Sequence, residues 1–187
     1  MRFYFNRALR ILLAANAAVI FAASMFAPIY AIFVEKIGGD ILDAGLSSGI
    51  FALVTGLAVL VSGRVSDRMK DSELLVIAGY FILGISFFLY NFVDTVASLF
   101  MVQALGGLGQ AATAPVYDAL YAKHVDGHRS GWQWGGWEAM AYFTTAAGSA
   151  AGGFVVSWFG FNALFVTMSV LCLLSALYMY LLPRRVL

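Results

Sequence analysis

Long apolar runs separated by short polar segments organise the whole chain. A helix needs roughly 20 mostly apolar residues to cross a hydrocarbon core. The sequence offers six such runs, at 9–34, 44–62, 74–93, 95–121, 131–158 and 160–182. The third and fourth are parted only around Asn91–Thr95, and the fifth and sixth only by Phe159-Gly160-Phe161-Asn162, so both junctions read as tight turns. The pattern predicts an all-α membrane protein, a single six-helix transmembrane domain over residues 1–187. Its basic start (Arg2, Arg7, Arg10) looks like that of a secretory leader, whose apolar core would be about 7–15 residues. Here the apolar run continues uncharged from Ile11 to Val34, which reads as a spanning helix.

Composition agrees. The chain is 62% hydrophobic and 11% charged, against about 25% charged in ordinary soluble domains. A net charge of +1 and the lack of a basic stripe give no support to nucleic-acid binding. The single cysteine, Cys172, has no partner for an intrachain disulfide. Charge also predicts orientation. Arg2, Arg7 and Arg10, then Arg64, Arg68 and Lys70, then Lys123 and Arg129, then Arg184 and Arg185 all fall on one side of a six-span chain. The other side has Lys36 beside Glu35, Asp40 and Asp43, and then Asp94. By the positive-inside rule both termini are cytoplasmic, in an inner or plasma membrane. Trp132 and Trp134 against Trp158 fit belts at the two interfaces, roughly 36–39 Å apart at 1.5 Å per residue.

One internal echo stands out. The first span contains Ala27-Pro28-Ile29-Tyr30 and the fourth Ala114-Pro115-Val116-Tyr117, each about six residues before its helix ends. These spans run in opposite directions, three apart, as two inverted three-helix repeats would require.

The segment after the second span reads Gly63-Arg64-Val65-Ser66-Asp67-Arg68-Met69-Lys70. It resembles the signature loop of the major facilitator superfamily: glycine, three residues, aspartate, then a basic residue. Gln103-Ala104-Leu105-Gly106-Gly107-Leu108-Gly109 is similar to that family's helix-4 motif, and Gly148-Ser149-Ala150-Ala151-Gly152-Gly153 to its helix-5 motif. Phe159 to Phe165 resembles the turn into helix 6. Gln103 stands where the family motif has arginine and Ser149 where it has proline, departures that speak against proton antiport. The resemblance implies one half of a major facilitator fold, a half-size member of the family. It further implies a homodimer through helices 2 and 5, with a true twofold axis replacing the pseudo-twofold between halves. In that arrangement Gly63, Asp67 and Arg68 form a gating cluster, with Asp67 near the start of the partner's helix 5 at Ser130-Gly131. Helix N-termini attract negative charge by about 0.3–1 kcal/mol.

Candidate pathway residues follow from helical spacing. Gln103, Gln110 and Tyr117 share a face of the fourth span through seven-residue steps. Asn16 and Ser24 share a face of the first, and Trp134, Glu138, Tyr142, Thr145 and Ser149 a face of the fifth. Asn16, Gln103, Gln110, Tyr117, Trp134, Glu138 and Tyr142 are the expected lining. Ser24 and Ser149 read better as hydrogen-bonding glue between helices. Glu138 and Asp118 are the acids placed well inside spans, where charge is costly and by default functional. Glu138 is a candidate proton carrier, with an interfacial carboxylate as its alternative. Asp118 is expected to pair with Arg64 or Arg68. His124 and His128 read as loop histidines, so no metal and no cofactor is expected. An intramembrane protease would need catalytic residues within the spans, and a channel a filter-like loop. The sequence offers neither. It supports a transporter, not an enzyme, moving a neutral polar solute such as a sugar, or a drug-like one, by alternating access. A non-transporting assembly or lipid-handling subunit, or one half of a heteromeric transporter, is the other reading.

Overall fold

The computed structural model describes residues 5–182, so Arg2, Arg184 and Arg185 lie outside the described residues. Within the described residues six α-helices follow one another: α1 (Arg7–Phe26), α2 (Tyr30–Lys36), α3 (Ile41–Arg68), α4 (Glu73–Leu89), α5 (Val96–His124) and α6 (Ser130–Tyr180). No strand occurs among the described residues. A single 3₁₀ turn at Ala27–Ile29 joins α1 to α2, so the two make one crossing. Among the described residues five segments are long and apolar enough to span a bilayer: Arg7–Lys36, Ile41–Arg68, Glu73–Phe92, Val96–His124 and Gly127–Tyr180.

Helix starts are set by capping. Asn6 opens α1 by accepting from the Leu9 amide at 2.8 Å. Asp40 and Asp43 form a reciprocal capping box at the head of α3, at 2.9 and 3.0 Å. Thr95 and Ser98 repeat the device at α5. Each box satisfies two of the orphan amides that a helix N-terminus exposes. The box starts α3 three residues before its expected boundary. At the far end the helix continues through Gly63–Arg68, so the motif expected in a loop forms the last turns of α3. The apolar stretch ends there, but no helix-breaking residue does.

At about 1.5 Å per residue, α6 as a straight rod would be roughly 77 Å long, about twice a bilayer. It is not straight. Gly160 adopts φ 79°, ψ 176°, a conformation open to glycine alone at low cost, and the chain reverses there. The first limb (130–159) runs alongside α1 in the same direction: Gly136 lies against Phe5, Gly148 against the backbone of Phe21, and Gly152 against that of Met25. The second limb (161–180) returns, bringing Tyr178 and Leu182 beside Arg7 and Arg10. The four-residue turn expected at 159–162 is thus compressed to one residue.

Packing is unequal. α1 leans on α6, α5 on α3 and α4, and α4 on α6, while α1 and α5 barely touch. Around the reversal, Phe26, Phe33, Tyr90, Phe161 and Phe165 interlock with centroid separations of 5.0–5.9 Å, mostly edge to face. Such pairs contribute about 0.5–1.5 kcal/mol each beyond buried area. In contrast α3 buries only Ala44 and Ser47. It is tied to α5 by Thr55 Oγ1 to the Gly107 carbonyl at 3.2 Å and Ser62 Oγ to the Ala111 carbonyl at 2.6 Å.

Candidate functional site

The gap between α1 and α5 holds two cavities. The one nearer the Gly160 reversal, termed outer after the orientation expected from charge, has a volume of 360 Å³ and is lined from α1 by Val19, Ala23 and Phe26, by Tyr30 of α2, and by Phe51, Phe87, Gln103 and Gln110 of the facing helices. The inner one, 240 Å³, is lined by Asn16, Tyr80, Thr113, Tyr117, Asp118 and Trp137 among others. Val19, Ala23 and Gln110 border both, so the two form one track with Gln110 at the junction. Among the described residues no lysine, arginine or histidine lines either cavity, and Asp118 is their one charged group.

The seven-residue step along α5 places Gln103, Gln110 and Tyr117 on the track in order from outside to inside. Gln103 is only 9% exposed and its Nε2 donates to Tyr30 Oη at 2.7 Å. Tyr30 Oη also meets Ser47 Oγ at the start of α3. Asn16, equally buried, accepts from Tyr80 Oη at 3.1 Å. Tyr117 is 2% exposed, and among the described residues neither its hydroxyl nor Trp137 Nε1 completes a hydrogen bond, although the Asn16 amide and the Trp137 indole both lie beside that hydroxyl. Two unpaired buried donors in one cavity are unusual, because buried polar groups are nearly always satisfied.

Other expected residues lie elsewhere. Trp134 borders neither cavity. It packs between Tyr121 and Trp137 at 4.9 and 6.0 Å in an aromatic group at the inner end. Glu138 is exposed, as is Tyr142 at 72%, both on a face of the first limb of α6 that no other helix covers. Gly63, Asp67 and Arg68 sit at the inner end of α3, with Asp67 and Arg68 exposed. The pairing expected between Asp118 and Arg64 or Arg68 is not made. Asp118 instead joins the wall of the inner cavity next to Tyr117. Ser24 Oγ reaches Thr145 Oγ1 at 3.3 Å, and Ser149 Oγ the Ser24 carbonyl at 3.4 Å, so these serines join α1 to α6. The His124 ring lies 2.9 Å from the Leu120 carbonyl of its own helix.

Tyr80, Trp137 and Asp118 are among the cavity residues that the spacing argument does not reach. Tyr80 is the lone aromatic hydroxyl in the apolar run of α4, and that isolation was its signal. Trp137 follows Trp134 by one turn. Asp118 adjoins the basic fourth loop, and that adjacency points to the charge cluster and not to the cavity.

Comparison with known proteins adds a family. The sequence model described as Major Facilitator Superfamily matches residues 12–186. The chain is 29% identical over 159 residues to YitZ, an uncharacterized MFS-type transporter of Bacillus subtilis, covering 85% of this chain and 96% of that protein. It is 29% identical over 154 residues to an uncharacterized MFS-type transporter of Methanocaldococcus jannaschii, covering 82% of this chain and 40% of that one. To the multidrug resistance protein MdtG of Klebsiella pneumoniae it is 28% identical over 171 residues, 88% of this chain and 40% of that protein. The chain therefore spans nearly all of the first relative and well under half of the other two.

Proposed function

This chain belongs to the Major Facilitator Superfamily, and from that premise we propose that it moves an amphipathic organic solute across the membrane by alternating access, working as a homodimer. Membership makes it an integral membrane protein of a transporter family, not an enzyme. The observation that carries the substrate reading is the two-part track meeting at Gln110, whose walls are apolar and aromatic with a few neutral polar handles. Such a lining suits a drug-like molecule better than a sugar, whose many hydroxyls would each need a partner. The multidrug resistance proteins among its relatives support the same choice. With Asp118 as the one charge on the wall, an anionic solute would find no counter-ion.

In this proposal the two limbs of α6 are separate crossings, giving six crossings in two inverted three-helix repeats with both termini cytoplasmic. A dimer would cover the faces that one chain leaves open. On α3 these are Leu46, Leu53, Leu57 and Leu60, and on the first limb of α6 they include Phe143 and Phe154. Asp67 would then approach the partner copy's helix N-terminus, as the family resemblance implies.

The test is mass measurement of the protein in nanodiscs, followed by uptake of ethidium and of glucose into proteoliposomes. A two-chain mass with saturable ethidium movement and none of glucose supports the proposal. A one-chain mass in lipid removes the enclosed path, and saturable glucose movement reverses the substrate choice.

A further inference from the structure

The two ends of the α1–α5 seam carry the same pair of groups with the helices exchanged. At the outer end the amide belongs to α5 and the tyrosine to α2: Gln103 Nε2 donates to Tyr30 Oη at 2.7 Å. At the inner end the amide belongs to α1 and the tyrosine to α5: Asn16 and Tyr117 line one cavity. Asn16 Oδ1 is engaged by Tyr80, which leaves its Nδ2 to donate as Gln103 Nε2 does. Tyr117 Oη is buried with the Asn16 side chain and the Trp137 indole beside it, but it completes a hydrogen bond with neither. The interval from Asn16 to Gln103 equals that from Tyr30 to Tyr117.

The same interval relates other contacts on the two sides. It takes Pro28 to Pro115, and it takes the carbonyl each proline leaves free, that of Ser24, to that of Ala111. It also takes Ser62, whose hydroxyl reaches the Ala111 carbonyl, to Ser149, whose hydroxyl reaches that of Ser24. Prolines, orphan carbonyls, serines, amides and tyrosines all keep one register. The exception is a single hydrogen bond, made outside and unmade inside.

We propose that Gln103–Tyr30 and Asn16–Tyr117 are equivalent latches at the outer and inner ends of the solute path, made alternately, with the outer one closed and the inner one released in this structure. The proposal rests on the transport reading above and adds to it which residues hold each end. Closing the inner end brings the Asn16 amide onto the Tyr117 hydroxyl and satisfies it. Opening the outer end parts Gln103 from Tyr30, which keeps Ser47 as a partner.

The experiment uses full-length protein in nanodiscs with Cys172→Ser and one reporter cysteine, at Ala27 on the outer cavity or at Ala114 on the inner. These two alanines stand at the same interval. Maleimide labelling rates are read in Tyr30→Phe and in Tyr117→Phe, each of which keeps the ring and removes one hydroxyl. Tyr30→Phe is expected to speed outer labelling roughly fivefold and slow inner labelling. Tyr117→Phe is expected to do the reverse, because one hydrogen bond is lost from one state only. Shifts of the same sign in both variants, or no shift in either, overturn the proposal. Labelling requires no substrate, so opposite shifts in a protein that moves no solute would retain the latches and remove the transport reading.

Discussion

Pro28 and Pro115 sit in matching tetrapeptides, yet the chain treats them differently. At Pro28 the helix gives way to a 3₁₀ turn over Ala27–Ile29 before resuming at Tyr30. At Pro115 helix α5 continues unbroken to His124. A proline inside a helix removes one amide and leaves the carbonyl four residues earlier without its partner. The Ala111 carbonyl, freed by Pro115, accepts from Ser62 Oγ at 2.6 Å. The Ser24 carbonyl, freed by Pro28, has only Ser149 Oγ at 3.4 Å. Where a neighbouring helix supplies a good donor, the helix survives its proline. Where the donor is distant, the backbone tightens to find closer partners. Proline tolerance here is a property of the neighbour as much as of the helix that contains it.

The largest way to break this comparison is to push the neighbour away. The first limb of α6 reaches Ser24 because Gly148 and Gly152 let the backbones meet, and a β-carbon on Gly152 would strike the Met25 carbonyl. Gly152→Ala should therefore cost about 3 kcal/mol or more, since backbone has to move. Gly153→Ala, where an added methyl meets nothing within 4 Å, should stay within about 0.5 kcal/mol. Thermal unfolding in detergent, followed by tryptophan fluorescence, compares the two. Equal midpoints would mean that the close approach is not what holds α1 to α6.

A smaller effect separates the two serines. Ser62→Ala strands the Ala111 carbonyl in apolar surroundings and should cost about 1–2 kcal/mol. Ser149→Ala gives up a long contact and should cost less than about 0.6 kcal/mol. The order matters more than either value. If Ser149→Ala is the costlier, donor distance does not explain why one helix breaks and the other continues.

Much of this was legible in the sequence, for identifiable reasons. Span positions follow from hydropathy, because the bilayer imposes a minimum apolar length. Asn16, Gln103, Gln110 and Tyr117 fell on one track because α1 and α5 are regular enough for residue spacing to report a face. Boundaries were harder. Asp40 and Asp43 were counted as outer-side charges, whereas their side chains cap α3 and so begin it earlier. The turn expected at 159–162 lies there, but it is narrowed to Gly160, whose positive φ carries the reversal alone. The first limb of α6 was read by its polar stripe, but its rotation is set by the small residues that seat on α1. Gly148 and Gly152 fix that face, which turns Glu138 and Tyr142 away from the helices of the same chain.

That rotation also chose between two tryptophans, and the choice yields the smallest effect on stability. Trp134 is the residue that spacing places on the path, but Trp137 borders the inner cavity, with an indole N–H beside the Tyr117 hydroxyl that completes no hydrogen bond. Trp137→Phe retains most of the ring and deletes that donor. Because no hydrogen bond is lost, the unfolding midpoint should move by no more than the equivalent of about 0.5 kcal/mol. If the N–H serves the solute, the same change should raise the transport KM roughly threefold to tenfold, with little effect at saturation. Trp134→Phe should do the opposite: it loosens the contacts with Tyr121 and Trp137 while leaving KM in place. A Trp137→Phe protein with unchanged KM would show that the unpaired donor is tolerated for reasons unrelated to solute. The inner end would then differ from the outer only in lacking its hydrogen bond, and the latch would be the whole of its function.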